Sequence, residues 1–309
     1  MKGAYDPPIA ALVEALAASS EEEMPDASHD ERRQQADETM LLVHPGRPDG
    51  TVCTDHVVGE RVVRVLRPPS APATGAPALF FVHGGGWFQG TVETAEVELG
   101  PVYGPAGCVV VTPEYRLSPE HVFPAALDDV VAAFEWFLAN LDDLGVDPAR
   151  VAVGGTSAGG NLCAALTLVI KERGWPMPVL QLLDVPALDL TLQSPSHDEY
   201  VTGAGLTKAG VDEYAGWYAG DTPRAHPLVS PLFAEDLAGL PPAVIVMAEH
   251  DPVRDDGERY LARLWAAGVP GAAVRVIGHF HGGWVIPGTM TARLVTAARI
   301  EALRAAFGA

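Results

Sequence analysis

Apolar residues recur along this chain with two different periods. Ile9, Leu12, Val13 and Leu16 fall at helical spacing, and with the charged stretch SSEEEMPDASHDERRQQADE behind them they predict one or two amphipathic helices within residues 1–45. From Thr51 the period shortens. TVCTDHVV and RVVRVLRP read as paired strands joined by a Gly59-Glu60 turn. ALFFVHG, CVVVTPEYR, RVAVGG, LQLLDVP, AVIVMAE and AAVRVIG follow as apolar runs bounded by Gly and Pro, and helical patterns occupy residues 125–141, 157–173, 257–267 and 290–307. Continuously apolar strands alternating with helices predict an α/β fold, with a mostly parallel central sheet of about eight strands flanked by helices. In such a sheet, ligands bind beyond the carboxyl ends of the strands.

The alternation breaks between Pro186 and Pro227, where Tyr200, Trp217 and Tyr218 sit among Gly, Asp and Thr. This suits an insertion over the sheet. The expected organisation is a core of residues 46–185 and 228–309, with residues 1–45 and 186–227 forming a helical cap.

Composition narrows the partners. The 309 residues are 48% hydrophobic, ample for a sizeable core, and carry a formal charge of −20. That acidity disfavours nucleic acid and anionic membranes. Cys53, Cys108 and Cys163 are odd in number and lie in apolar or β-type stretches, so they read as small core residues, with neither a disulfide framework nor a thiolate metal site expected. No run of 18 apolar residues exists to span a bilayer, and the N-terminal apolar stretch is interrupted by Glu14, unlike a signal peptide. The expected location is cytoplasmic; a homodimer is left open.

One stretch carries candidate chemistry. VAVGGTSAGGNLCAAL puts Ser157 on a turn from strand to helix, in the pattern G-x-S-x-G. A serine alcohol is a poor nucleophile at neutral pH, so it needs an imidazole to take its proton and a carboxylate to orient that imidazole, in the chain order acid then histidine. Asp251 follows one strand directly, and His279 and His281 follow the next. Glu249 is the rival acid, whereas Asp255 and Asp256 read as caps of the following helix. Gly282 and Gly283 would let the backbone turn His281 back toward the serine, which favours it over His279. In FFVHGGGWFQG, consecutive glycines would let backbone amides approach an oxyanion unobstructed. Gly85 and Gly86 with Ala158 are the candidate donors, and Gly84 serves the turn. No G-x-x-x-x-G-K-[ST] or G-x-G-x-x-G pattern follows, so a phosphate loop is rejected. His83 reads as a hydrogen-bonding loop residue. Trp87, Trp217, Phe280 and Trp284 are the candidate pocket aromatics.

HGGGW, PEYRLSPEHVFPAALDDV, GGTSAGGN, AEHDPVRDDG and HGGW, in that order, resemble the hormone-sensitive-lipase family of α/β-hydrolases, the bacterial type IV esterases, over residues 50 to the end. The resemblance implies a capped α/β-hydrolase fold, no cofactor or metal, and hydrolysis of short-chain or aryl esters. It implies Ser157 as nucleophile, Asp251 as orienting acid, His281 as base, and a structural role for Tyr115, Arg116, Pro119 and Glu120. Thr156 stands where many members carry Asp, as in the GTSAG branch, and Gly282-Gly283-Trp284 replaces the usual Gly-Phe after the histidine. The same apparatus could serve an amidase, formamidase, lactonase or acyltransferase. A noncatalytic small-molecule receptor on this fold is the rival outside catalysis.

Overall fold

A computed structural model describes residues 4–10, 13–14, 27–200 and 205–308. Its centre is an eight-stranded sheet: β1 (Val52–Val58), β2 (Arg61–Arg67), β3 (Ala76–Val82), β4 (Val109–Pro113), β5 (Val146–Thr156), β6 (Leu180–Asp184), β7 (Ala243–His250) and β8 (Gly271–Phe280). The order is β1-β2-β4-β3-β5-β6-β7-β8, antiparallel where β2 meets β1 and β4 and parallel from β4 to β8.

The strand period of two sends alternate side chains to two separate cores. Phe80, Val111 and Val153 pack under α4 (Ala125–Ala139), α5 (Ala158–Arg173) and α8 (Arg254–Ala266). Leu79, Phe81 and Val110 pack under α2 (Val92–Leu99), α3 (Tyr103–Ala106) and α9 (Met290–Phe307). Burial on both faces is why β3 and β4 read as unbroken apolar runs. Cys108 and Cys163 are buried and Cys53 is partly so; all three are free thiols.

Before the sheet lies α1 (His29–Leu41), opened by a capping box in which Ser28 and Glu31 exchange hydrogen bonds. Residues 7–10 and 13–14 are helical; Leu12 and Leu16 lie outside the described residues. Between β6 and β7 the β-α alternation stops, and the chain forms α6 (Pro195–Glu199) and α7 (Lys208–Ala219). Rings tie α1 to α7 and to the loop after β3: His29 lies 5.2 Å from Trp217 and 5.6 Å from Phe88, between ring centres. Arg33 donates to the carbonyls of Phe88 and Ser118 and pairs with Glu120.

Two expectations change. β8 runs on through Phe280, so His279 is a strand residue and not a loop residue. Asp255 and Asp256 occupy the first turn of α8 but do not cap it. Asp255 accepts from the Ser196 amide, and Asp256 from the amides of Leu188 and Asp189, so both tether the 186–227 segment to the core.

Candidate active site

β5 delivers Ser157 at its carboxyl end, and α5 begins one residue later. The turn between them is so tight that Ser157 itself takes φ 55° and ψ −115°, a strained conformation for a residue with a side chain. The flanking glycines are required for a different reason than their own backbone angles. A Cβ on Gly159 would stand 2.0 Å from the Val82 carbonyl oxygen, and one on Gly155 would stand 2.5 Å from Gly159. β3, β5 and α5 therefore meet closer than any side chain allows. The Ser157 amide donates to the Asp184 carbonyl at 2.8 Å, which locks the turn to β6.

Three side chains from three loops meet here. His281 Nε2 lies 2.9 Å from Ser157 Oγ, and His281 Nδ1 lies 2.7 Å from Asp251 Oδ2. Asp251 is fully buried, and its other oxygen accepts from the Val253 amide at 3.0 Å, so the carboxylate is held from both sides. Gly282, at φ 67°, supplies the reversal after His281. The rivals are occupied elsewhere. Glu249 accepts from the Gly278 amide and braces β7 against β8. His279 is fully buried, with Nε2 3.5 Å from Asp6 Oδ2, and burial pushes its pKa down.

The loop after β3 bends beside the serine. Gly85 and Gly86 take φ 100° and 63°; a Cβ would strike the Gln89 carbonyl at 2.3 Å in the first case and the Tyr214 ring at 2.9 Å in the second. Their amides, and that of Ala158 at the start of α5, have no acceptor among the described residues. Gly84 differs: its amide donates to the Glu98 carboxyl at 2.9 and 3.0 Å and is not a free donor. His83 is sealed inside, its Nδ1 2.8 Å from the Gly84 carbonyl, and burial lowers its pKa to about 4, so it stays neutral.

A cavity of about 290 Å³ opens onto Ser157 and His281. Of the four expected aromatics, only Phe280 lines it. Trp87 is buried, stacked on Tyr218 with ring centres 4.5 Å apart. Trp217 packs with His29, Phe88 and Tyr214 between α1 and α7. Trp284 faces a second cavity of about 300 Å³, which shares Glu98 and Val285 with the first. The wall at Ser157 is completed by Met40, Leu206, Tyr214 and Ile286, none of them singled out in sequence. Tyr214 carried a signal: it stands one helical turn before Trp217, on the same side of α7.

A sheet of this order, with the serine turn after β5 and the histidine after β8, is the architecture of the α/β-hydrolases. Residues 79–285 match the model of a family described by its alpha/beta hydrolase fold. The carboxylic ester hydrolase LipN of Mycobacterium tuberculosis is 41% identical over 234 residues, covering 74% of this chain and 61% of LipN. An arylesterase of Saccharolobus solfataricus is 36% identical over 256 residues, covering 81% and 83%. The solved structure of a hyperthermophilic esterase from the archaeon Pyrobaculum calidifontis superposes with a TM-score of 0.90 at 33% identity, covering 98% of each chain. The chain belongs to this α/β-hydrolase family, among the hormone-sensitive-lipase-like type IV esterases. It spans less than two thirds of the length of LipN. Among the described residues, no helix is long and apolar enough to cross a membrane, and no cluster of His, Cys, Asp and Glu is arranged to hold a metal ion.

Proposed function

We propose that this protein hydrolyses short-chain or aryl carboxylic esters through an acyl-enzyme formed on Ser157. The observation that carries the reading is the unbroken contact from Asp251 through His281 to Ser157, at 2.7 and 2.9 Å. Neutral His281 takes the hydroxyl proton as Oγ attacks the ester carbonyl, and buried Asp251 stabilises the imidazolium that forms. The oxygen that gains charge is met by the amides of Gly85, Gly86 and Ala158. His281 returns its proton to the leaving alcohol; water, deprotonated by the same ring, then releases the acid. A small, largely apolar cavity supports modest substrates. The ester-cleaving activities named for LipN and the arylesterase favour esters over amides and lactones.

In this reading α1 and the 186–227 segment form the cap, supported by Met40, Leu206 and Tyr214 at the cavity wall. A cytosolic location is supported by three cysteines that remain free. The test is hydrolysis of p-nitrophenyl acetate and butyrate by wild type and Ser157→Ala. Turnover should fall by on the order of a million-fold, by analogy with other serine hydrolases. Fluorophosphonate labelling should vanish in the variant. Wild type with neither turnover nor labelling would move the protein to the receptor reading.

A further inference from the structure

Glu98 has no part in the relay, yet it is 6% exposed, lines the Ser157 cavity, and sets its carboxyl oxygens 2.9 and 3.0 Å from the Gly84 amide nitrogen, which donates to the carboxyl. The opposite side of that residue is also held: the Gly84 carbonyl accepts from Tyr115 Oη at 3.2 Å and contacts His83 Nδ1 at 2.8 Å. Gly84 is thus clamped at its amide and its carbonyl, and the two residues that follow it are the free donors Gly85 and Gly86. Across the clamp, the Thr156 side chain neighbours the Glu98 carboxyl, and its buried hydroxyl makes no hydrogen bond among the described residues. Glu98 therefore stands between the loop that receives the oxyanion and the residue just before the nucleophile.

The charges around it define its working form. Asp184, at the end of β6, is a second buried carboxyl, and Arg299 of α9 is the buried cation between them. Arg299 Nη2 sits 3.0 Å from Asp184 Oδ2, off the ideal hydrogen-bond angle, while its Nη1 donates to the main-chain carbonyl of Glu98 and not to the carboxyl. One cation thus faces two carboxyls and contacts Asp184. The other groups facing Glu98 are Tyr115, His83 and Thr156, with Ser157 and His281 across the cavity and Arg293 on the second cavity it lines. On its own helix, Glu93 and Glu96 are committed to Arg64 and Arg47.

We propose that Glu98 is a positioning residue that works as a neutral carboxyl: it fixes the Gly84 peptide, and through it the Gly85 and Gly86 donors, and its ionisation weakens catalysis at alkaline pH. A negative charge at this point would lie beside the developing oxyanion and oppose it. Burial, joined by the nearby Asp184 carboxyl, outweighs the Gly84 amide and Arg299, which favour the ionised form, and pushes the pKa up to about 8. Thr156 fits the same logic, since an aspartate there would set another carboxyl against this one.

The inference rests on the ester-hydrolase reading, and its test separates the two. Turnover of p-nitrophenyl butyrate would be followed from about pH 6 to about pH 10 for wild type, Glu98→Gln and Glu98→Ala, with melting curves for each. Wild-type kcat should decline above about pH 8. Glu98→Gln, a neutral mimic with the same acceptor, should stay within about ten-fold of wild type at neutral pH and lose the alkaline decline. Glu98→Ala should lose roughly 10- to 100-fold in kcat with KM moving far less, the signature of a displaced transition-state donor. An unchanged alkaline decline in Glu98→Gln, or wild-type kcat in Glu98→Ala, overturns the proposal. Infrared difference spectra of wild type against Glu98→Gln at neutral pH report the protonated carboxyl directly. Its absence overturns the neutral form, whereas its presence in a protein that cleaves no ester sinks only the hydrolase reading.

Discussion

The proposed relay at Ser157 and the wall of the cavity above it are built from different kinds of constraint. Ser157, Asp251 and His281 sit where parallel strands end, so sheet topology alone puts them on one edge. Tyr214, Leu206 and Met40 come from α7, the segment before it and α1, and line the cavity from outside the sheet, Tyr214 stacked on Phe88 with ring centres 5.8 Å apart. Residues of the first kind are fixed by chain order. Those of the second kind are fixed by which surfaces happen to bury each other, and an isolated sequence says little about that.

The largest expected effects come from replacing each of the two histidines in turn. His281→Ala should approach the loss of the serine variant, on the order of a million-fold in kcat, and Asp251→Ala should lose roughly 10,000-fold. His279→Ala removes a buried ring paired with Asp6, and should retain turnover within about ten-fold while lowering the melting temperature. Steady-state kinetics beside thermal melts read both effects, and a large kcat loss in His279→Ala would reverse their assignment.

A smaller effect belongs to the donor loop. Gly85→Ala introduces a Cβ at φ 100° and 2.3 Å from the Gln89 carbonyl, so the loop must shift and its amide with it. The expected loss is about 100- to 1000-fold in kcat, close to the loss of one oxyanion donor. Retained kcat would show that the Gly85 amide is not among those donors.

The sheet, its two helical layers and the order serine, acid, histidine were legible because each leaves a periodic or spacing signal. Met290–Phe307 emerged with the expected limits, since nothing but a helix fits its pattern. His279 reads as a loop residue because the apolar run ends at Gly278, whereas β8 continues two residues past it. Glu98 was invisible for a compositional reason: in a chain with 40 acidic residues, a glutamate in a helical stretch reads as solvated surface. Asp255 and Asp256 read as caps because capping is the local use of such residues, whereas their partners lie 59 and 68 residues away in sequence.

Trp87 and Tyr214 carry the same contrast between core and cavity wall in single rings. Trp87, a pocket candidate by sequence, stacks on Tyr218 in the core, with its carbonyl accepting from Ser118. Trp87→Ala should cost about 3 to 5 kcal/mol of stability, measured by denaturant unfolding, with no change in acyl-chain preference among molecules that remain folded.

Tyr214 should give the opposite and smaller response. Its ring lies against Gly86 and lines the Ser157 cavity, so truncation enlarges the wall without touching the relay. Tyr214→Ala should raise KM for p-nitrophenyl acetate several-fold and shift preference toward longer acyl chains. One to three kcal/mol is the usual scale for a methylene in an apolar pocket, and the shift should lie at its lower end. kcat for the favoured chain should stay within about ten-fold. If Tyr214→Ala instead lost kcat equally for every chain length, the ring would be supporting the Gly86 amide and not shaping the pocket, and the division between scaffold and wall would have to be redrawn at α7.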